Sequence, residues 1–136
     1  MLAAGEPRLG RARPSYLVDW PAPLAALSRL RAGTPRVAER FELYAGGLEL
    51  ANGFSELVDA AEQRSRLVAE QEDRRRLGRP VFPLDERFLD AVGKMPEAGG
   101  VAVGFDRRLM LLVGAESIAD VLLFPAHEFV PGHGER

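Results

Sequence analysis

The stretch ERFELYAGGLELANGFSEL, residues 39–57, decides the fold of this chain. Apolar and polar side chains alternate over 40–45, Gly46 and Gly47 follow, and a second largely apolar run occupies 48–56. An alternation with a period of two is typical of a β-strand, and a glycine pair between two such runs is typical of a tight turn. The stretch therefore predicts an antiparallel hairpin.

The predicted hairpin carries four polar side chains among its apolar positions, which are Glu42, Glu49, Asn52 and Glu56. Charged groups on a strand are costly unless they face solvent or bind something. Strict alternation places Glu49 on the opposite face from Asn52 and Glu56. All four can therefore meet only where a bulge or twist intervenes, which Gly53 permits. An amphipathic hairpin whose acids face water stays the alternative.

A second stretch, GGVAVGFDRRLMLLVGA over 99–115, predicts a strand at 100–104 and an apolar helix at 106–113, both buried. The strand consists of small residues and ends at Gly104, so a flat ligand can approach its backbone. Arg107 lies at the start of the helix, where a guanidinium can stack on a purine and reach phosphate oxygens.

Between the two stretches the sequence predicts a solvent-exposed helix from Asp59 to Leu77, because Asp59 can cap it and Gly78 and Pro80 stop it. Acid-first pairs four residues apart support this helix, namely Glu62 with Arg66, Glu70 with Arg74 and Glu72 with Arg76. Further predicted elements are a short strand at 16–18, a helical turn at 24–30, a helix at 85–92 and an apolar segment at 118–124. Strands and helices alternate irregularly, so we predict an α+β fold with an antiparallel sheet flanked by helices.

Composition narrows the function. The chain has 136 residues, a formal net charge of -2 and no cysteine. Such a length can bury its own core, and the missing cysteines exclude disulfides, thiolate metal sites and cysteine nucleophiles. The charge balance argues against an extended surface for duplex nucleic acid. Without a membrane-spanning run or a signal peptide, we expect no membrane partner and a cytoplasmic location.

The segments GLELANGFSEL, GVAVGFDR and IADVLLFP follow one another between 47 and 125. Together they resemble the C-terminal half of the catalytic core of class II lysyl-tRNA synthetases, in which GFDR corresponds to motif 3. Three features are similar to the bacterial paralogues that attach a lysine-type amino acid to a lysine of elongation factor P. They are EPRLGRARPSYLVDWPA at 6–22, RVAERFELYAGGLELANGF at 36–54, and Ala102 where lysyl-tRNA synthetases usually have glycine.

The resemblance implies a site for ATP, Mg²⁺ and lysine or β-lysine in a ligase that forms an aminoacyl-adenylate. It implies that Glu42 and Glu49 are the metal ligands. It further implies that Arg107 is catalytic and binds ATP together with Gly104. The residues implied for the amino acid are Asn52, Phe54, Glu56 and Ala102. A homodimer is also implied.

The resemblance has one large departure, since nothing in the chain resembles motif 1 or motif 2 of the class. We therefore predict a flexible segment at 1–14, a partial catalytic domain with motif 3 at 15–125, and a polar tail at 126–136. Because motif 2 binds the α-phosphate, this chain alone is expected to be inactive. Three functions stay open: part of a ligase for elongation factor P, part of a lysyl-tRNA synthetase that charges tRNA, and a non-catalytic binding or dimerisation module.

Overall fold

A computed structural model describes residues 8–34 and 36–125. In chain order the elements are β1 (Ser15–Leu17), β2 (Trp20–Pro21), a 3-10 turn (Ala22–Leu24), β3 (Val37–Ala38), β4 (Arg40–Ala45), β5 (Leu48–Ser55), α1 (Ala60–Arg76), α2 (Glu86–Val92), β6 (Gly99–Val103), α3 (Phe105–Val113) and a 3-10 turn (Ile118–Val121). Strands β1, β4, β5 and β6 form one sheet in that order, and β2 pairs with β3 in an antiparallel ribbon. The predicted α+β class is confirmed, as is the hairpin, which is β4 and β5.

The described chain consists of two compact units. The first contains 8–16, Glu42–Asn52 and 102–125, and the second contains Leu17–Phe41 and Gly53–Val101. The predicted domain boundaries stay predictions. Residues 1–7 of the N-terminal segment and the whole tail at 126–136 lie outside the described residues.

The turn of the hairpin lies in the first unit and needs its glycines. Gly46 and Gly47 have φ values of 62° and 84°, in the left-handed region that glycine occupies without steric cost. Their N–H groups donate to the carbonyls of Gly10 and Leu9, over 2.9 Å and 3.1 Å respectively. A Cβ on Gly10 would come within 2.4 Å of the Tyr44 carbonyl oxygen. The end of the N-terminal segment therefore packs directly on the hairpin turn.

Strand β6 and helix α3 form where the sequence predicts them, but the prediction that both are buried is wrong. Every residue of β6 is exposed, and β6 is an edge strand with β5 as its one neighbour in the described sheet. Helix α3 buries Met110, whereas Phe105 and Leu112 are each 73% exposed.

The core of the second unit consists of Trp20, Ala25 and Ala38, with Leu17 and Leu30 packed against it. The predicted helical turn at 24–30 is wrong in its extent, because the 3-10 turn is Ala22–Leu24 and shares only Leu24 with that range. The predicted strand at 16–18 forms one residue earlier, as β1.

Helix α1 confirms the predicted exposed helix, since Gln63 is its one buried residue. The Asp59 side chain accepts hydrogen bonds from the N–H groups of Ala61 and Glu62 and thereby caps the helix. An ion pair between Arg64 and Glu86, with one contact of 3.0 Å, joins α1 to α2. Among the described helices none is both long and apolar enough to cross a membrane.

The predicted ion pairs of α1 are confirmed in two of three cases. Glu62 pairs with Arg66 and Glu70 pairs with Arg74. The pair Glu72–Arg76 was wrong, because the neighbouring side chains pair at three-residue spacing instead, Glu72 with Arg75 and Asp73 with Arg76. Both spacings bring side chains together on one helix face, so the rotamers decide between them.

Candidate functional site

Glu42 is a buried carboxylate on β4 and belongs to the first unit. Its side chain is 5% exposed, and each of its oxygens accepts a hydrogen bond. The Tyr44 hydroxyl donates to Oε2 over 2.7 Å, and the Asn52 amide donates from Nδ2 to Oε1 over 3.3 Å. Tyr44 reaches it because residues two apart on a strand share a face. These donors satisfy a charge that would otherwise be costly to bury.

The partner of Glu49 is Arg107. The Arg107 Nη1 atom donates to the backbone carbonyl of Glu49 over 2.8 Å and lies 3.6 Å from the Glu49 carboxylate. This arginine is in the first turn of α3, and its guanidinium stays about half exposed. The contact therefore ties the start of α3 to β5 while leaving the cation accessible to a ligand.

Gly104 makes this arrangement possible from the end of β6. Its N–H donates to the Leu50 carbonyl over 2.8 Å, which joins the strand end to β5. A Cβ on Gly104 would come within 3.3 Å of the Arg107 Cδ atom. A glycine here thus leaves room for the arginine side chain.

The four polar side chains of the hairpin do not form one cluster through these contacts. Glu42 meets Asn52, and Glu49 meets Arg107. Within residues 8–34 and 36–125 there is no group of three histidine, cysteine, aspartate or glutamate side chains that could hold a metal. A protein site for Mg²⁺ commonly supplies one or two carboxylates and leaves the other positions to phosphates and water. By their chemistry alone, the two carboxylates Glu42 and Glu49 are ligands of the kind that Mg²⁺ bound together with a nucleotide uses.

Phe54 belongs to the second unit and lines an open groove of about 680 Å³ together with Phe41, Gly99 and Gly100. Gly53 allows the Phe41 ring to approach β5 closely, since a Cβ on Gly53 would lie 2.6 Å from that ring. The groove is large enough for an amino acid side chain.

Glu56 follows β5 in the second unit, and its side chain is half-buried. Its backbone N–H donates to the Ala98 carbonyl over 2.9 Å, which fixes it beside β6. A Cβ on Gly100 would come within 2.8 Å of the Glu56 Oε1 atom, so the carboxylate lies directly over this glycine. In the part of the chain that the structure describes, no side chain pairs with this carboxylate. It also borders a cavity of about 320 Å³ with Phe88 and Met95.

Ala102 lies on β6 in the first unit with its side chain exposed. Its predicted role at the amino acid therefore stays a prediction.

The sequence analysis did not single out Tyr44 as a partner of Glu42. The signal was present in the alternation, since Tyr44 follows Glu42 by two residues on a predicted strand. The alternation alone does not show a contact between the two side chains, and only the structure places the Tyr44 hydroxyl on the carboxylate.

Glu39, just before β4 in the second unit, has a perturbed carboxyl group. A hydrogen bond from the Ser55 side chain and then one from Arg29 lower the pKa of Glu39. The Arg29 Nη2 atom lies 2.9 Å from the Glu39 carboxylate, and this contact raises the pKa of Arg29. The pair joins two segments of the second unit.

One class of protein has this combination of features: the sheet, the hairpin carboxylates Glu42 and Glu49, and Arg107 at the junction of β6 and α3. The sequence model of the tRNA synthetases class II (D, K and N) matches residues 8–128, and the chain belongs to this family. The resemblance found in the sequence is therefore confirmed.

Curated relatives that match this chain have a more specific name than that of the class. The elongation factor P–(R)-β-lysine ligase of Proteus mirabilis (strain HI4320) is 47% identical over 123 residues, which are 90% of this chain and 38% of that protein. The ligases of the same name from Salmonella dublin and Salmonella agona (strain SL483) are each 48% identical over 120 residues, covering 88% of this chain and 37% of theirs. The chain thus spans about 38% of the length of the curated relatives that it matches.

Proposed function

We propose that this chain contributes the motif 3 part of the active site in an ATP-dependent ligase that attaches lysine or (R)-β-lysine to a lysine of elongation factor P. The observation that carries the proposal is the 47–48% identity, over about nine tenths of this chain, to relatives named for that reaction. The half-exposed guanidinium of Arg107 at the start of α3 and the half-buried carboxylate of Glu56 beside β6 are the chemical groups that it needs.

The proposed reaction has two steps. A carboxylate oxygen of the amino acid attacks the α-phosphorus of ATP, the bond to the β-phosphate breaks, and pyrophosphate leaves. The acceptor lysine amine then attacks the acyl carbon and releases AMP. Catalysis of this kind depends on positioning and charge neutralisation rather than on a side-chain nucleophile.

On the ATP side, Arg107 supplies the cation for the phosphates and for stacking on adenine. Its anchoring on the Glu49 carbonyl limits the freedom of the side chain before ATP binds. Gly104 leaves space at the same strand end. Mg²⁺, when bound by Glu42 and Glu49, would neutralise charge on the phosphate oxygens.

On the amino acid side, the Glu56 carboxylate accepts hydrogen bonds from one of the two ammonium groups of the substrate, either the one on the side chain or the one near the carboxylate. Support comes from its half-buried carboxylate, which has no side-chain partner among the described residues. Phe54 provides an apolar wall for the methylene groups. Ala102 is the further residue proposed for this side, where its methyl group narrows the space near the substrate.

Asn52 contacts a substrate amine in this proposal through its oxygen. A carboxylate accepts hydrogen bonds and cannot donate them, so the contact with Glu42 assigns the NH₂ group of Asn52 to that side. The Oδ1 atom is then the acceptor that a substrate ammonium can use.

ATP–pyrophosphate exchange tests the proposal in the gene product that contains this sequence. Exchange is expected with lysine or (R)-β-lysine and not without an amino acid. Transfer of the labelled amino acid to elongation factor P is then compared with transfer to tRNA. Labelling of tRNA alone would favour the lysyl-tRNA synthetase alternative, and no exchange at all would favour the non-catalytic module.

Two further parts of the proposal concern the whole protein. We propose a homodimer, which light scattering of the purified gene product can test. A cytoplasmic location is proposed from the same reaction and is tested by cell fractionation.

A further inference from the structure

We infer that Tyr44 is a positioning residue whose hydroxyl orients the Glu42 carboxylate for a divalent cation. The inference rests on the proposed function for the identity of that cation as Mg²⁺ with ATP. Its own basis is the hydrogen bond between two buried side chains of the hairpin.

The geometry constrains the carboxylate from both sides. Tyr44 is 3% exposed, and its hydroxyl donates to Oε2 over 2.7 Å, a short contact of the kind formed with a charged acceptor. Asn52 donates to the other oxygen, Oε1. Rotation of the carboxylate about its last torsion would lengthen one contact or both. The two donors therefore select one orientation of the Glu42 oxygens.

The hydroxyl is the part of Tyr44 that packing alone does not require. A phenylalanine ring would fill the same buried volume without bringing a polar group into the interior, where an unsatisfied hydroxyl is costly. Carboxylates that bind metals are commonly oriented by hydrogen bonds from a second layer of side chains. Loss of such a bond typically weakens metal binding by roughly 10–100-fold.

A purely structural role would have a different consequence. If the hydrogen bond only compensated for the burial of Glu42, its loss would lower the melting temperature and leave cation affinity unchanged in the folded protein. Cation affinity is therefore the readout that separates the two roles.

The test uses Tyr44→Phe in the gene product that contains this sequence. Tyr16→Phe is the matched control, since it changes the other tyrosine of this chain, which is 65% exposed. Mn²⁺ is the probe, and its binding is measured by electron paramagnetic resonance without nucleotide and again with ATP. We expect Tyr44→Phe to weaken Mn²⁺ binding by roughly 10-fold or more, and Tyr16→Phe to leave it unchanged.

A double-mutant cycle tests whether Tyr44 acts through Glu42. Once Glu42→Gln has removed the charged ligand, the additional change Tyr44→Phe is expected to alter Mn²⁺ affinity by less than about 2-fold. A full effect of Tyr44→Phe in the Glu42→Gln background would overturn the inference, as would wild-type affinity in the single variant.

A measurement on the unchanged protein decides the case where Tyr44→Phe does not fold. With tyrosine ring carbons labelled for NMR, saturating Mg²⁺ is expected to shift the Tyr44 signal and to leave the Tyr16 signal in place. An unchanged Tyr44 signal would overturn the inference. These binding readouts do not depend on amino acid activation, so absence of pyrophosphate exchange in the wild type would count against the proposed function alone.

Discussion

Replacement of Gly100 with alanine should weaken amino acid binding without harming the fold. The added Cβ would lie 2.8 Å from the Glu56 Oε1 atom, whereas ordinary contacts of this kind begin at 3.4 Å. The difference is 0.6 Å, and the carboxylate is the flexible partner that has to move by about that distance. Misplacement of a positioned group by ~1 Å can reduce activity by about 100-fold. We therefore expect a loss of roughly 10-fold in affinity for lysine or (R)-β-lysine.

The free energy of unfolding of Gly100→Ala should rise or stay the same, whereas its affinity for the amino acid should fall. Alanine loses less conformational entropy on folding than glycine, and the difference within a strand is about 0.5–1 kcal/mol in favour of alanine. Binding and stability thus separate in this variant, which distinguishes a displaced carboxylate from general damage.

The neighbouring glycine supplies the control. A Cβ on Gly99 would meet the Phe54 carbonyl oxygen at 3.6 Å, an ordinary contact. Gly99→Ala should therefore leave the Glu56 carboxylate in place and weaken amino acid binding less than Gly100→Ala does, although both glycines line the groove beside Phe54. Calorimetric titration and thermal unfolding of both variants are the assays. Equal affinities in Gly99→Ala and Gly100→Ala would refute the reasoning, because the two changes differ mainly in whether they displace Glu56.

Three further predictions concern the charge, the size and the extent of the proposed site, and a fourth concerns the effect of Glu39 on stability. Glu56→Gln should weaken amino acid binding by about 2–4 kcal/mol while ATP affinity, also measured by calorimetry, stays the same; equal losses for both ligands would indicate general damage. Ala102→Gly should shift the ratio of kcat/KM towards α-lysine by at most about 1–3 kcal/mol, and an unchanged ratio would remove Ala102 from the proposed site. The 136-residue chain by itself should show no pyrophosphate exchange, and robust exchange would contradict the need for a motif 2 region. Hydrogen bonds from Ser55 and Arg29 lower the pKa of Glu39 in the folded protein. The ionised Glu39 therefore stabilises the fold fully at pH values above its ordinary pKa of 4.5, and this stabilisation is lost as the pH falls through the lower pKa of the folded state. In Glu39→Gln, the free energy of unfolding by denaturant should depend less on pH in that acid range. Identical pH profiles for the variant and the wild type would refute the lowered pKa of Glu39.

Local patterns were sufficient for the elements that depend on neighbouring residues. The glycine pair predicted the hairpin because its positive φ values are a local requirement, and Asp59 predicted the start of α1 because a cap acts within one turn. Both signals act over a few residues of chain.

Burial and register depend on distant parts of the chain, and there the sequence was insufficient. The small and apolar residues of β6 predicted a buried strand, yet all of its residues are exposed, since burial depends on which other parts of the chain pack over the faces of a strand. Likewise, the alternation of apolar and polar residues could not predict which polar side chains of the two hairpin strands contact one another. The contact between Glu42 and Asn52 depends on how β4 and β5 are paired, which composition does not encode.

The position of Asn52 has a consequence for how the proposed ligase could order its substrates. Its amide donates to Glu42, a proposed metal ligand, while its oxygen is the proposed acceptor for a substrate ammonium. In the proposed site, one side chain would thus contact both the metal ligand and the amino acid. A shift of Glu42 on cation binding would move the Asn52 amide, and with it the oxygen, because the amide group is planar. The Tyr44 hydroxyl limits that shift by holding the second oxygen of Glu42. In this arrangement the hydrogen bonds of a single hairpin connect the orientation of Glu42, the proposed metal ligand, to the orientation of the Asn52 oxygen, the proposed acceptor for the amino acid.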